Sequence, residues 1–385
     1  GKAVLFKKFA NIDVFDIEMD ELNIDDFVDT VARLEPTFGA INLEDIKAPE
    51  CFEIERKLIE RLSIPVFHDD QHGTAICVAA ATLNGLRIVD KKPADIKLVC
   101  SGGGAAAIAC LDILIGLGVK LENIRVCDSK GVIHNGRNDL NPEKTRFAVT
   151  TQARDIGEVM KDADVFLGLS GPGTLSADMV KTMARDPIIL ALANPTPEIM
   201  PEEASAVRPD AIIATGRSDY PNQVNNVLCF PFIFRGALDC GATEINMAMK
   251  LACVRAIADL AQAESTDIVA NAYGDHSIKF GRDYIIPKPF DPRLISTVPV
   301  AVAEAAMKSG VATRPIEDLD AYAQRLSGLV YRSGYVMKSV FEQAKKDPKR
   351  VVYANGEEDR VLRAAQQVID EGIAQPILIG RPFRI

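Results

Sequence analysis

Short apolar runs alternate with stretches of helical spacing from the beginning of the chain. Alternating apolar positions are typical of strands, whereas apolar residues three or four apart are typical of a helix. The predicted helices are residues 25–34, with Asn23 or Asp25 as the N-cap, and residues 49–62. The predicted strands are AVLFKKF, IDVFDIEM, GAINLEDI and IPVFHDD. This alternation favours a parallel sheet covered by helices.

A second α/β unit, at about residues 75–240, is predicted because the same pattern restarts at Asp95. A helix over TAICVAAATLNGLRIV comes first. The run IKLVCSGGGAAAIACLDILIGLGV then indicates a buried strand, a glycine turn and an apolar helix. The further predicted strands are NIRVCD, DADVFLGLS, PIILALANP and AIIATGR, and helices follow in CVRAIADLAQA and VPVAVAEAAMK. The fold class is therefore α/β.

The end of the chain is predicted to be a separate region. The segment AKKDPKR, residues 344–350, breaks the helical pattern and indicates a linker. Behind it, one strand, one helix and one strand follow. Since a single unit of this kind cannot bury its own core, we expect the beginning of a further domain rather than a complete one.

Length and charge narrow the class of protein. The 385 residues correspond to roughly 2.6 domains of about 150 residues each. The 44 basic and 54 acidic residues give a net charge of −10, which repels a nucleic-acid backbone. The chain has no run of about 18 apolar residues and no signal-peptide pattern. We therefore expect a cytoplasmic protein with neither nucleic acid nor membrane as a partner.

The eight cysteines and four histidines do not form a metal-binding pattern, since neither CxxC nor HExxH occurs. Most cysteines stand in apolar runs, which is typical of reduced, buried thiols. His68 and His72 are four residues apart, but Asp69, Asp70 and Gly73 predict a strand end followed by a turn. We expect these histidines to lie behind a site, where they support its residues, rather than to bind a metal themselves.

A glycine turn carries the GxGxxA form of the dinucleotide-binding fingerprint. It follows a buried strand and opens an apolar helix, and Asp128 ends the next strand 26 residues after Gly102. The first glycine permits a tight turn, the third lets the backbone approach a pyrophosphate, and the last alanine keeps the helix close to the strand. The candidate residues are Gly102, Gly103, Gly104, Ala105, Ala106 and Ala107. The alternative is a glycine turn that binds no nucleotide.

The choice between NAD and NADP depends on three residues at the end of the second strand of this unit. Asp128 at this position normally accepts hydrogen bonds from the ribose hydroxyls of NAD. Ser129 and Lys130 would instead hold the 2′-phosphate of NADP. The spacing leaves both cofactors open.

Carboxylates and amides mark the ends of other predicted strands. Glu44, Asp45 and Asp70 are the ligand types of a hard divalent cation, Mg²⁺ or Mn²⁺; the alternative is helix caps or a solvated surface. Asn194 ends the strand PIILALANP, and Asn226 follows the loop GRSDYP. Such amides hydrogen-bond to carboxylates and carboxamides, but an asparagine before a proline is also an ordinary turn former.

Taken together, these segments resemble the malic enzyme family over about residues 1–330. The tail from about residue 340 resembles the opening of a phosphate acetyltransferase domain, the fusion found in large bacterial malic enzymes. The motifs, in family order, are GKAVLFKKFANIDVFDIE, INLEDIKAPECFEIE, FHDDQHGTA, SGGGAAA, CDSKGVI, LALANPTPEI and QVNNVLCFPFIFRGAL.

The resemblance implies oxidative decarboxylation of L-malate to pyruvate and CO₂, with reduction of NADP, NAD also being possible. It implies that Lys2 matches the catalytic lysine and that Asp69 supports the lysine or the metal shell. A lysine beside a dication has a lowered pKa and removes the C2 hydroxyl proton as hydride leaves. The metal polarises the ketone and stabilises the enolate.

The resemblance also implies the remaining ligands. Glu44, Asp45 and Asp70 would hold Mg²⁺ or Mn²⁺, while Asn194 and Asn226 would contact malate and the nicotinamide end of the cofactor. Homo-oligomerisation is expected from the family, and an acetyl-CoA-type regulator from the tail. The predicted domains are an N-terminally incomplete substrate and metal domain (1–74), a Rossmann-type, doubly wound NAD(P) domain (75–250), a helical extension (251–343), and a linker with the start of a phosphate acetyltransferase-like domain (344–385).

One feature of the family is not matched. The family protonates the enolpyruvate carbon with a tyrosine upstream of the catalytic lysine, and none of the seven tyrosines fits that motif. We expect a chain beginning at Gly1 to be impaired in that last step. Two alternatives stay open: a non-catalytic NAD(P)-binding regulatory or assembly module, and a metal-independent Rossmann dehydrogenase.

Overall fold

The computed structural model describes residues 1–263, 279–370, 372–382 and 384. The chain divides into two compact units, Gly1–Leu326 and Ser327–Ile385. The prediction of an α/β protein with a parallel-sheet N-terminal part and a Rossmann-type sheet is confirmed.

The first unit begins with a small two-stranded parallel sheet and its helices. Strands β1 and β2 pair so that Leu43 lies opposite His68. Asn23 caps the second helix by accepting hydrogen bonds from the N–H groups of Asp25 and Asp26, as predicted. The elements are α1 (Lys2–Ala10), α2 (Ile24–Ala32), β1 (Ile41–Leu43), α3 (Glu50–Arg61), β2 (Val66–His68) and α4 (Asp69–Ile88).

The first two predicted strands are wrong. The segment AVLFKKF lies in helix α1, because Phe6 and Ala10 are one helical turn apart and both are buried. The segment IDVFDIEM lies within residues 11–23, all described, which form neither helix nor strand. Phe15 and Ile17 are exposed there, so the alternation has no buried face.

The predicted turn after the second strand is also wrong. Strand β2 ends at His68 and helix α4 begins at Asp69, without a turn between them. Asp69 and Asp70 therefore occupy the first turn of a helix, where exposed N–H groups and the helix dipole favour negative charge. The hydrophobic sequence that follows keeps most of α4 buried.

A six-stranded sheet forms the main body of the first unit. Its order is β5-β4-β3-β6-β7-β8, and every neighbouring pair is parallel except β4 with β5. This is the doubly wound order, in which ligands lie where the strand sequence reverses, beside β3. The strands are β3 (Leu98–Ser101), β4 (Ile124–Asp128), β5 (Gly131–Val132), β6 (Val165–Gly168), β7 (Ile188–Ala191) and β8 (Ile212–Thr215).

Helices cover this sheet, and more helices follow it. The buried strand, glycine turn and apolar helix predicted around the fingerprint are confirmed by β3 and α5. The helices between strands are α5 (Ala105–Gly116), α6 (Pro142–Thr145), α7 (Ile156–Met160), α8 (Ala177–Lys181) and α9 (Pro201–Val207). Those after the sheet are α10 (Phe230–Asp239), α11 (Met247–Gln262), α12 (Leu294–Lys308) and α13 (Leu319–Lys346).

The second unit contains the predicted strand, helix and strand: β9 (Lys349–Tyr353), α14 (Asp359–Asp370) and β10 (Ala374–Leu378). The two strands pair in parallel. The predicted linker AKKDPKR instead holds the end of α13 and the start of β9, because the helix continues to Lys346. Within the described ranges, every helix is too short or too polar to cross a membrane.

Candidate active site at the strand ends

The ends of β1 and β2 bring the predicted acidic residues to one edge of the small sheet. Since Leu43 and His68 are the last pair in register, Glu44 and Asp69 leave the sheet side by side. Asp45 and Asp70 come next along the two segments. The backbone N–H of Asp45 donates to Asp70 Oδ2 (2.8 Å), which ties the segments together.

Lys2 reaches this edge from the start of helix α1. Its Nζ donates to Asp69 Oδ2 (2.5 Å) and lies 2.9 Å from Glu44 Oε1. On another side, Nζ lies 4.2 Å from the centre of the Phe230 ring, a cation–π contact. Phe6 packs against that ring as well, so α1 holds Lys2 at the carboxylates through aromatic packing.

Asp69 is the central member of the site and is fully buried. Its Oδ2 also accepts a hydrogen bond from Asn226 Nδ2 (2.5 Å), in the 3-10 turn Asn226–Leu228. Its Oδ1 is buried without a hydrogen-bond partner among the described residues. A Cβ at Gly73 would overlap this carboxylate, so the glycine makes room for Asp69. We call Lys2, Glu44, Asp69 and Asn226 the lysine–carboxylate cluster.

The protonation of this cluster depends on burial and charge together. Burial raises the pKa of Asp69 to about 7, with Glu44 and Asp70 adding to the rise and Lys2 opposing it. Burial lowers the pKa of Lys2, but Asp69 and Glu44 outweigh that effect and raise its pKa above the usual value. The proton therefore stays on Lys2, and the ammonium and the buried carboxylate share a short, charge-assisted hydrogen bond.

The predicted metal ligands are oxygen donors, the type that Mg²⁺ and Mn²⁺ prefer. The partnerless Asp69 Oδ1 and the half-exposed Asp70 carboxylate have unused acceptor capacity. Across the described residues, however, no three His, Cys, Asp or Glu side chains converge closely enough to enclose a metal. In donor chemistry the residues fit a hard dication, but they are not arranged as a closed ligand set.

The glycine turn lies at the end of β3, where the strand order reverses. Gly102 has φ of +127°, and a Cβ there would lie 2.5 Å from the Leu169 carbonyl oxygen, so only glycine fits. Gly104 precedes α5 and has open space around its Cβ position. Ala107 is buried. The turn therefore exposes backbone at Gly104 beside the first turn of a helix, the geometry that receives phosphates.

Asp128 ends β4, but its carboxylate is already engaged. Arg137 donates to both oxygens (2.8 and 3.0 Å), and Lys144 Nζ donates to Oδ2 (2.8 Å). Lys130, predicted as a phosphate ligand, donates instead to Asp139. We call Asp128, Lys130, Arg137, Asp139 and Lys144 the basic network, since three cations face two carboxylates. Sequence reasoning missed Arg137 and Lys144 because they follow the strand by 9 and 16 residues.

The two predicted amides differ in their surroundings. Asn226 belongs to the lysine–carboxylate cluster. Asn194 follows β7 and is exposed, and its Nδ2 lies 2.8 Å from the Cβ position of Gly216 after β8. Among the described residues, no hydrogen bond joins Asn194 to the cluster. Sequence reasoning also missed Phe230 and Gly73, although both stand inside the motifs FPFIFRGAL and FHDDQHGTA.

The fold and the site define the class of protein. One compact unit contains both a doubly wound sheet with a dinucleotide-type glycine turn and a carboxylate cluster. In that cluster, the Lys2 ammonium contacts the buried Asp69. Family models match in the same order: malic enzyme, N-terminal domain, over residues 1–59, and malic enzyme, NAD binding domain, over residues 71–270. A phosphate acetyl/butaryl transferase model matches residues 335–385.

Individual relatives agree with these matches. An NADP-dependent malic enzyme of Salmonella typhimurium is 65% identical over 384 residues, 99% of this chain and 51% of that protein. An NAD-dependent malic enzyme of Rhizobium meliloti is 61% identical over 384 residues, 99% of this chain and 50% of that protein. A crystal structure of malic enzyme from Pyrococcus horikoshii, 40% identical, superposes with a TM-score of 0.78 and covers 88% of this chain and 77% of that one.

The chain belongs to the malic enzyme family. It spans about half the length of the curated relatives named here.

Proposed function

We propose that this protein oxidatively decarboxylates L-malate to pyruvate and CO₂, with NADP as the hydride acceptor and a divalent cation as a requirement. One observation carries the proposal: the Lys2 ammonium lies between Glu44 and the buried Asp69, at the edge of the small sheet. The names of the relatives from Salmonella typhimurium and Rhizobium meliloti support the same reaction.

Lys2 and Asp69 form the base that takes the C2 hydroxyl proton. A hydrogen bond of 2.5 Å joins their side chains and holds Lys2 Nζ in place at the edge of the small sheet. Because Asp69 and Glu44 raise the pKa of Lys2, the lysine becomes a free base only when a bound cation offsets their negative charge. Asn226 holds the same oxygen and fixes the orientation of the carboxylate.

Glu44, Asp45 and Asp70 would hold the divalent cation. When bound, the cation supplies positive charge that offsets the carboxylates around Lys2 and polarises the substrate oxygens. Phe230 keeps water from one side of the Lys2 ammonium, since its ring is buried and in contact with Nζ. Asn194 would contact the nicotinamide end of the cofactor and the substrate.

The basic network supports NADP over NAD. A carboxylate at the end of the second strand favours the ribose hydroxyls of NAD only while its oxygens are available. Here Arg137 and Lys144 use both oxygens of Asp128. The same two cations suit a 2′-phosphate, which makes charge-assisted hydrogen bonds. Gly102 to Ala107 would receive the pyrophosphate, and Ser129 would lie beside the 2′-phosphate.

A cofactor-reduction assay tests the proposal. The 385-residue chain is supplied with L-malate, NADP or NAD, and Mn²⁺ or a chelator. We expect reduction of NADP that needs both malate and Mn²⁺ and that is slower with NAD. Full activity in the chelator would contradict the metal requirement, and cofactor binding without any reduction would contradict the enzymatic proposal.

Further expectations from the resemblance accompany this function. We propose that the protein is cytoplasmic, that it forms a homo-oligomer, and that an acetyl-CoA-type metabolite regulates it through the second unit. We also retain the division into a substrate and metal part, a cofactor part, a helical extension and an acetyltransferase-like part. The match of residues 335–385 to the phosphate acetyl/butaryl transferase model supports the last of these.

A further inference from the structure

A buried carboxylate that the reaction does not use lies behind the lysine–carboxylate cluster. Glu55, in the middle of α3, is only 7% exposed. Glutamate is rarely buried unless it is paired, so each of its contacts bears on why it is there.

Glu55 binds both sides of the junction between β2 and α4. Its Oε1 accepts a hydrogen bond from the backbone N–H of His68 (3.2 Å), the last residue of the strand. The same oxygen accepts one from His72 Nε2 (2.8 Å), in the first turn of the helix. Between these two points lie Asp69 and Asp70. The contacts of Glu55 therefore bracket the buried Asp69 of the lysine–carboxylate cluster and the predicted metal ligand Asp70.

The surroundings keep Glu55 ionised and its partners in place. Burial raises the pKa of Glu55, but the nearby His72 and Lys250 outweigh that effect and lower its pKa. Lys250, on α11, also lies 6.0 Å from the centre of the Phe67 ring, and that ring packs against His72. An ionised carboxylate makes stronger hydrogen bonds than a neutral acceptor. The junction is thus held by charge-assisted bonds inside a packed environment.

From this geometry we infer that Glu55, through His68 and His72, is a positioning residue that sets the metal affinity of the Asp69–Asp70 segment. The inference rests on the proposed function for the identity of the bound cation. Glu55 itself lies behind the junction and touches neither Glu44 nor Asp45 in the described contacts. It acts on the metal site by fixing where α4 begins.

Mn²⁺ binding, followed by electron paramagnetic resonance of the free ion, tests the inference on the full chain. We expect Glu55→Ala to weaken Mn²⁺ binding by about 10- to 100-fold, the usual effect of losing a residue that supports metal ligands. NADP affinity, measured on the same samples, should stay within about twofold, because the glycine turn is a separate structure. Glu55→Gln, which keeps an oxygen for the His68 amide, should recover most of the loss.

Two further variants separate the role of Glu55 from a general effect of substitution on the fold. Glu60→Ala changes an exposed carboxylate on the same helix and should leave Mn²⁺ affinity unchanged. His72→Phe removes one of the two bonds to Glu55 but keeps a ring against Phe67, so it should show a smaller loss even if Glu55→Ala does not fold. A folded Glu55→Ala or His72→Phe protein with unaltered Mn²⁺ affinity would overturn the inference, as would an unsubstituted chain that binds no Mn²⁺. An unsubstituted chain that binds Mn²⁺ but never oxidises malate would contradict only the proposed function.

Discussion

The lysine–carboxylate cluster and the basic network are both groups of opposite charges at strand ends, but they are assembled differently. The cluster joins residues that are 67 and 157 positions apart, from α1, α4 and the turn before α10. The network joins residues only 9 and 16 positions apart, between the end of β4 and helix α6. The cluster therefore depends on how elements far apart in the sequence pack, whereas the network is contained in one short segment of the chain.

This difference predicts where substitutions act. In the cluster, loss of one group leaves a buried partner without a hydrogen bond, because Asp69 is fully buried. In the network, the neighbouring cations compensate in part for the loss of one member. Effects on the reaction should therefore be large in the cluster and graded in the network.

The largest effect is expected for Lys2→Ala. Removal of a general base usually lowers the rate by about 10²- to 10⁴-fold, and Asp69 would also lose its cationic partner. Steady-state malate oxidation and NADP affinity are the measurements, and only the first should change. Lys7→Ala is the control on the same helix, since that lysine is exposed and pairs with Asp13. A Lys2→Ala rate within about threefold of the unsubstituted rate would remove Lys2 from the reaction.

Asp70→Ala should come next. We expect Mn²⁺ affinity to fall at least about 100-fold, the upper end of what loss of a supporting residue costs, while NADP binding persists. The Asp45 amide would also lose its acceptor. The exposed Asp178, which pairs with Lys181, provides an Asp→Ala control. Unchanged Mn²⁺ binding in Asp70→Ala would show that the cation binds elsewhere.

Lys144→Ala tests the basic network without changing the lysine–carboxylate cluster. If Lys144 binds the 2′-phosphate as proposed, loss of that charge-assisted hydrogen bond should raise KM for NADP by about 10- to 100-fold and leave KM for NAD nearly unchanged. Lys181→Ala, on an exposed face of α8, is the control. Equal changes in KM for NADP and NAD would mean that Lys144 supports the local fold and does not bind the 2′-phosphate.

Substitutions at two glycines of the turn should separate an effect on protein stability from an effect on NADP binding. Gly102→Ala places a Cβ against Leu169 at a positive φ and should cost about 1–3 kcal/mol in the free energy of unfolding. Gly104→Ala meets open space, so thermal stability should hold while NADP binding weakens, because the new methyl group stands where the phosphates approach. If Gly104→Ala bound NADP normally, the cofactor would not lie over this turn.

The smallest effect concerns acid stability. Burial raises the pKa of Asp128, but hydrogen bonds from Arg137 and Lys144 outweigh it and lower the pKa to about 2. A carboxylate whose pKa is lowered in the folded state stabilises that state at pH values above the unfolded-state pKa of about 4. This stabilisation is lost as the pH falls through about 2. The difference in Tm between the unsubstituted chain and Asp128→Asn should therefore shrink below about pH 4. A constant difference at all pH values would contradict the ionic role.

The same difference in assembly explains what the sequence could predict. The strand, glycine turn and helix at Gly102 follow from a local pattern, and so do β1, β2 and the cap at Asn23. The sequence predicts a strand where helix α1 forms, because the burial of this helix depends on Phe230, far along the chain. The contact between Lys2 and Asp69 leaves no local signal, and only resemblance points to it, whereas Asn226 carries only the general signal of an amide after a loop. Glu55 and His72 stand inside the motifs INLEDIKAPECFEIE and FHDDQHGTA, and His72 is predicted to lie behind a site, but neither the pattern nor the resemblance indicates that the two side chains meet.

The most direct test of the account is the stoichiometry of the reaction. The chain is incubated with L-malate, NADP and Mn²⁺, and NADPH and CO₂ are measured in the same samples. If the cluster and the glycine turn serve one oxidative decarboxylation, NADPH and CO₂ should form in equal amounts, and both should vanish in a chelator and in Lys2→Ala. NADPH formed without CO₂, or formed equally well in the chelator, would contradict it.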